Sequence, residues 1–132
     1  MELGLEGKVA VVTGSSRGLG LASATALVSE GVRVCVCARG RERLDEAVSE
    51  LRAIAGVGEV VVGVEADLST VDGVTSVIDH TVDTFGGLDI LVNNVGKAGG
   101  AGVVDTTDAD WQAALDHTLY PAIRASRWAA PP

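Results

Sequence analysis

The chain has 132 residues, 47% of them hydrophobic and 21% charged, with 17 glycines against 3 prolines and a net charge of −8. That length fits a single domain over residues 1–132, and a hydrophobic share near one half argues against disorder. An acidic surface repels phosphate backbones, which excludes nucleic acid and anionic membrane surfaces as partners of the whole surface and leaves room for a local basic pocket.

Val9–Val12 is a Val-rich apolar run closed by Thr13-Gly14, and it predicts a first strand. Leu19–Glu30, rich in Ala and Leu and stopped by Gly31, predicts a helix. Val32–Ala38 reads as a second strand. Leu44, Ala47, Val48, Leu51, Ile54 and Ala55 then recur at helical spacing between charged residues, the pattern of an amphipathic helix. Val60–Val64 is a third strand. Val71, Val74, Val77, Ile78 and Phe85 mark the next helix, with Ser69 and Asp72 spaced as a capping box. Leu88–Val92 is a fourth strand leading into Asn93-Asn94 and a loop with Gly96, Gly99, Gly100 and Gly102. Thr107 or Asp108 caps a last helix bearing Trp111, Leu115, Leu119 and Ile123, which Pro121 should kink or interrupt. Strand and helix alternate four times, so the strands pair in parallel, and their continuous apolar character fits a sheet covered on both faces. The expected architecture is a doubly wound α/β domain.

The segment Thr13-Gly14-Ser15-Ser16-Arg17-Gly18-Leu19-Gly20 lies between the first strand and the first helix, where a dinucleotide's pyrophosphate would sit on free helix N–H groups. Gly14 serves the sharp turn out of the strand, Gly18 leaves the backbone open to a phosphate, and Gly20 lets helix and strand approach closely. The plain alternative is a glycine-rich turn without a ligand. The pattern Thr-Gly-x-x-x-Gly-x-Gly, with Asn93-Asn94-Val95-Gly96 after the fourth strand, resembles the short-chain dehydrogenase/reductase family. Asp67-Leu68, after the third strand, matches that family's adenine-contacting pair. The resemblance runs from about Leu5 to the last residue. It implies a Rossmann-type sheet with strand order 3-2-1-4 and a dinucleotide cofactor contacted by Gly14, Ser15, Ser16, Arg17, Gly18, Leu19, Gly20, Asp67, Leu68, Asn94 and Gly96. Asn93 is expected to tie the end of the fourth strand to its neighbours.

The end of the second strand bears on the cofactor. A domain built for NAD usually places an acidic residue there for the ribose 2′-hydroxyl. Here the chain reads Ala38-Arg39-Gly40-Arg41, with no acid before Glu42. A guanidinium grips a 2′-phosphate that a carboxylate would repel, so Arg39, assisted by Arg17, points to NADP ahead of NAD. The competing reading of Arg39 is a solvated residue at a helix start.

The family resemblance also implies catalysis by Ser, Tyr and Lys, aided by an Asn, with the three located after a fifth strand. None of the three is expected within residues 1–132, and the Asn position falls on Thr118. Tyr120-Pro121-Ala122-Ile123-Arg124 has the outline of Tyr-x-x-x-Lys. It comes one strand and one helix too early, and Pro121 is expected to disturb the turn that would align its ends, so Tyr120 reads as a packing residue. His117 reads as an ordinary helical residue, Lys8 and Lys97 as solvated lysines, and Cys35 and Cys37 as core filling. Two thiols are too few for a structural zinc, so no metal site is expected.

Two functional hypotheses stand. One is the cofactor-binding front portion of an NADP-dependent oxidoreductase acting on an alcohol or ketone, truncated relative to the family. The other is a module that binds NADP without turning it over. The apolar run Leu88–Val92 favours the first, because a chain built to end here would blunt such a sheet edge; self-association through that edge and the last helix is expected. The longest uncharged stretch, Gly18–Ser29, is too short to cross a bilayer, no secretory signal is visible, and two cysteines make no disulfide framework, so a cytoplasmic location is expected.

Overall fold

A computed structural model describes residues 1–56, 60–96 and 100–131. Its elements are β1 (Val9–Val12), α1 (Gly18–Ser29), β2 (Arg33–Ala38), α2 (Arg41–Ala55), β3 (Val61–Glu65), α3 (Val71–Phe85), β4 (Ile90–Val92), α4 (Asp108–His117) and α5 (Leu119–Ala129). Gly99 of the glycine-rich loop and Lys97 lie outside the described residues.

The strands form one parallel sheet in the order β3-β2-β1-β4, with Val11 opposite Cys35 on one side and Leu91 on the other. This is the Rossmann-like architecture expected from the alternation of strands and helices. Side chains alternate across each strand and so feed two separate cores. Ala10, Val12, Val34 and Val36 pack against Ala24 and Val28 of α1 and Leu44, Val48 and Leu51 of α2. Val11, Cys35 and Cys37 pack on the other face with Val74, Val77 and Ile78 of α3 and Ala125 of α5. Both faces are therefore covered, which is why the strands read as unbroken apolar runs. Among the described residues no helix is long and apolar enough to cross a membrane.

The structure corrects the expected local chemistry at the α3 cap and in the last helix, and bears out Thr107 as the cap of α4. The α3 cap is Thr70, whose hydroxyl accepts from Gly73 N, because Ser69 is drawn back to Asp67 by two hydrogen bonds, Oγ to Oδ1 at 2.7 Å and N to Oδ1 at 3.0 Å. A full capping box occurs instead at α4: Thr107 Oγ1 accepts from Asp110 N, and Asp110 Oδ2 accepts from Thr107 N. The last helix is two helices, broken at Thr118. Pro121 has no N–H to give the carbonyl of residue 117, and its ring would collide with that carbonyl in a continuous helix. The chain therefore ends α4 at His117 and starts α5 two residues before the proline, which then sits harmlessly in a first turn.

β4 is shorter than the apolar run suggested. Asp89 Oδ2 accepts from Val9 N at 2.9 Å while Asp89 N donates to Val9 O, so a side chain takes over one rung of the ladder with β1. The strand lies at the sheet edge and its three residues are only partly buried. Trp111 and Trp128 on the neighbouring helices are 53% and 55% exposed.

Candidate functional site

Order reverses at β1, with β2 on one side and β4 on the other, and in open α/β sheets a crevice forms beyond the strand ends at such a point. The chain leaves β1 through Gly14, at φ +62°. Ser15 follows, fully buried. Its N–H donates to Cys37 O, and its hydroxyl donates to Val12 O at 2.6 Å and accepts from Cys37 N at 3.0 Å. Ser15 thus prolongs the β1–β2 pairing past the end of the strand, and its side chain faces the protein.

Thr13 and Asn94 stitch the two loops of the crevice together. Thr13 Oγ1 donates to Val92 O and accepts from Asn94 N at 2.9 Å and Val95 N at 3.2 Å. Asn94 Nδ2 donates to Gly14 O at 3.1 Å. Asn93 ties the same loop to α5, donating to Ser126 Oγ at 3.3 Å. Both asparagines therefore anchor the end of β4, and Asn94 also lines the cleft. Gly20 is packed so tightly here that a Cβ would overlap Gly14 O and stand 2.6 Å from Asn94 Nδ2. Gly18, by contrast, has φ +60° and nothing within 4 Å of where its Cβ would be. The backbone at the start of α1 is thus open. Arg17, the N-cap residue, makes no side-chain cap, and the first turn holds no acidic residue. The helix's own geometry leaves its first N–H groups without helical acceptors, a setting that attracts an anion.

A cleft of about 660 Å³ opens over these loops. Gly14, Ser16, Arg17, Arg39, Asp67, Leu68, Asn94 and Gly96 line it, all of them expected from the sequence. Ser15 and Gly20 lie beneath it, buried, and Gly18 and Leu19 are exposed on the first turn of α1. The sequence reading missed Arg43, Ser69 and His117, which also line the cleft. Arg43 had a visible signal, since it stands one helical turn beyond Arg39. His117 had one too, four residues before Pro121, where the helix has to end. Arg41 faces elsewhere, paired with Glu65 at 3.0 Å and Asp45 at 3.7 Å on the exposed side of α2.

The cleft is electrically mixed. Hydrogen bonds from the Ser69 hydroxyl and N–H hold the Asp67 carboxyl below its ordinary range, and the charges of Arg39 and His117 act in the same direction. Cys37 reaches the cleft wall, but burial pushes its thiol up to about 12 and that of Cys35 to about 11, which leaves neither a nucleophile. Tyr120 and Arg124 do share a helix face, contrary to the sequence expectation. Because α5 begins at Leu119, Pro121 leaves that turn intact, and the Arg124 guanidinium stands 5.3 Å from the Tyr120 ring centroid. The tyrosine remains outside the cleft lining.

Comparison with known proteins agrees with this architecture. The family model for short chain dehydrogenase matches residues 8–132. A (5R,7aS)-5-hydroxy-7a-methyl-1-oxo-2,3,5,6,7,7a-hexahydro-1H-indene-carboxyl-CoA reductase of Mycobacterium tuberculosis is 40% identical over 93% of this chain and 47% of its own. A 3-oxoacyl-acyl-carrier-protein reductase of Synechocystis is 39% identical over 87% of this chain and 46% of its own. Among solved structures, L-sorbose reductase of Gluconobacter frateurii, complexed with NADPH and L-sorbose, superposes with a TM-score of 0.91 at 39% identity, covering 98% of this chain and 48% of that one. Actinorhodin polyketide ketoreductase with NADPH gives a TM-score of 0.85 at 36% identity, over 92% of this chain and 46% of that one.

The chain belongs to the short-chain dehydrogenase/reductase family of oxidoreductases, whose fold binds a nicotinamide dinucleotide. It spans about half the length of the curated relatives it matches. The residues present suit such a cofactor: an open, Cβ-free backbone at Gly18, an uncapped helix start and guanidinium groups beside it.

Proposed function

We propose that residues 1–132 form the NADP(H)-binding portion of an oxidoreductase that transfers hydride between nicotinamide and an alcohol or ketone. The observation that carries this reading is the convergence of Arg17, Arg39 and Arg43 on one cleft, with Ala38 and Arg39 where an NAD-type domain would place a carboxylate. Guanidinium groups match the geometry and charge of a 2′-phosphate, and an acid there would repel it. When bound, the dinucleotide supplies the hydride. The chain's own residues bind and orient it: the α1 N-terminus takes the pyrophosphate, Asp67 and Leu68 take the adenine, and Asn94 and Gly96 lie along the opposite wall.

Carbonyl reduction also needs a proton donor beside the carbonyl and a cation to tune it. Among the described residues no Tyr and no Lys lines this cleft, so the proton donor and tuning cation of the family's reaction are not found there. Residues 1–132 by themselves therefore bind the cofactor and do not turn it over. That the matched relatives are reductases, two of them solved with NADPH, supports an oxidoreductase over a module that only senses NADP.

Fluorescence titration with NADPH and NADH tests the assignment. NADPH binds more tightly to the native chain, and Arg39→Asp reverses the order, with a loss of about tenfold or more for NADPH. Arg43→Ala weakens NADPH and leaves NADH within about twofold. Tighter binding of NADH by the native chain overturns the reading. Turnover of NADPH by residues 1–132 with a carbonyl substrate, abolished in Tyr120→Phe, would overturn the non-catalytic assignment.

A further inference from the structure

One linkage joins the cleft to a helix that contributes no lining residue to it. Arg124, on α5 and partly buried, donates from Nη1 to the main-chain carbonyl of Ser69 at 3.2 Å. Its guanidinium also stands over the Tyr120 ring, 5.3 Å from the centroid, and an i,i+4 pair of this kind restricts the arginine to one direction. Ser69 in turn holds Asp67, by Oγ at 2.7 Å and by N at 3.0 Å to the same carboxylate oxygen. The Asp67 carbonyl accepts from Thr70 N at 3.2 Å and Thr70 Oγ1 at 2.8 Å. Asp67 and Ser69 both line the cleft.

In the turn after β3, Leu68 buries its side chain in the core and Ala66 N donates to Ala38 O, but the hydrogen bonds of Asp67, Ser69 and Thr70 are otherwise local to the turn and the start of α3. The turn's side-chain hydrogen bonds run two or three residues along the chain, whereas the bond from Arg124 spans 55. Main-chain segments with mostly local partners on exposed surface open readily, and one charged donor from a packed helix is enough to bias where they rest.

We propose that Arg124 is a positioning residue: braced on Tyr120 and bonded to the Ser69 carbonyl, it fixes the Asp67–Ser69 turn in the place that receives the adenine end of the cofactor. This rests on the cofactor assignment above, in which Asp67 and Leu68 face the adenine. Through this bond the packing of α5 is coupled to nucleotide affinity. An adenine nucleotide bound against the turn stabilises the α5 contact reciprocally.

Two readouts in the full chain separate this role from general stability. The first is binding of adenosine 2′,5′-bisphosphate, which carries only the adenine end, beside reduced nicotinamide mononucleotide, which carries only the other. Arg124→Ala weakens the bisphosphate by about three- to tenfold and leaves the mononucleotide unchanged. Arg124→Lys, which keeps a donor within reach of the Ser69 carbonyl, restores most of the loss. Tyr120→Leu gives a smaller loss of about twofold.

The second is amide hydrogen exchange without nucleotide, where Arg124→Ala speeds exchange at Ser69 and Thr70 and leaves the α3 interior as slow as before. Equal weakening of both probes, no weakening of the bisphosphate, or unchanged exchange at Ser69 overturns the positioning role. A native chain that binds neither NADPH nor the bisphosphate sinks the cofactor assignment instead, and the exchange result then stands or falls alone. If Arg124→Ala fails to fold by circular dichroism, Arg124→Lys and Tyr120→Leu carry the same comparison.

Discussion

Replacing Gly20 by Ala probes the joint on which the cleft is built. A Cβ at this position would overlap Gly14 O, stand 2.6 Å from Asn94 Nδ2 and 3.0 Å from Ser15 Cα. The neighbours have little freedom to give way, since Ser15 N is bonded to Cys37 O and Asn94 N to Thr13 Oγ1. The methyl must therefore push α1 outward or break the Asn94–Gly14 hydrogen bond. Overpacking of a tight contact costs about 1–3 kcal/mol, and the lost hydrogen bond adds about 1 kcal/mol. Against this, removing a glycine from a helix returns about 0.5–1 kcal/mol through the unfolded chain.

The net loss is about 2 kcal/mol, or about 8 °C in Tm for a domain of this size. Urea unfolding should show a lower midpoint with an unchanged slope, because the same surface is exposed. Gly18→Ala is the control. Its site is open and its only penalty is the left-handed backbone, φ +60°, which costs about 1–2 kcal/mol. The two losses are comparable but have different causes: the crystal structure of Gly20→Ala should show α1 displaced from Gly14, and that of Gly18→Ala should not. A Gly20→Ala chain as stable as the parent would refute the close-approach argument.

The buried thiols of Cys35 and Cys37, pushed up to about 11 and 12, should resist a thiol-labelling reagent at pH 8 in the folded chain and react fully in denaturant; rapid labelling of the native protein contradicts their placement in the core. The Asp110 carboxyl, held below its ordinary value by the N–H and hydroxyl of Thr107, contributes to the α4 start at neutral pH, above the unfolded value. That contribution is lost as pH falls through the depressed folded value, so the protection factors of the first-turn amides of α4, corrected for the intrinsic pH dependence of exchange, should fall as the pH drops below the ordinary carboxylate range. Asp110→Asn should remove this pH dependence, and a dependence that persists in the variant assigns it elsewhere. Residues 1–132 expressed by themselves leave β4 at the sheet edge and Trp111 and Trp128 more than half exposed, and should elute ahead of a monomer in size exclusion. A monodisperse monomer contradicts that expectation.

Much of this fold is legible in the chain itself. Val9–Val12 and Val34–Cys37 are unbroken apolar runs because they are buried on both faces, and their spacing by glycine-stopped helices leaves parallel pairing as the workable topology. The turn from Thr13 to Gly20 shows in the sequence because the left-handed backbone at Gly14 and Gly18 and the close packing at Gly20 require missing side chains at fixed places. Local hydrogen-bond choices were not legible. Ser69 and Asp72 have the spacing of a capping box, and only the folded chain shows Asp67 competing for Ser69 and leaving the cap to Thr70.

Distance in sequence hid the rest. Thr13 meets Asn94 across 81 residues, and Arg124 meets Ser69 across 55, contacts that no local pattern encodes. Arg41 and Arg43 look alike on paper, yet the helix turns Arg41 to Glu65 and Arg43 to the cleft. The amino-acid sequence by itself determined the elements, their order and the glycine turn, because periodicity and missing Cβ atoms are local properties. Only the tertiary structure decided which of the polar side chains converge on the cleft and which are engaged in holding its walls, because those partners become neighbours only when the sheet brings β1, β3 and β4 together.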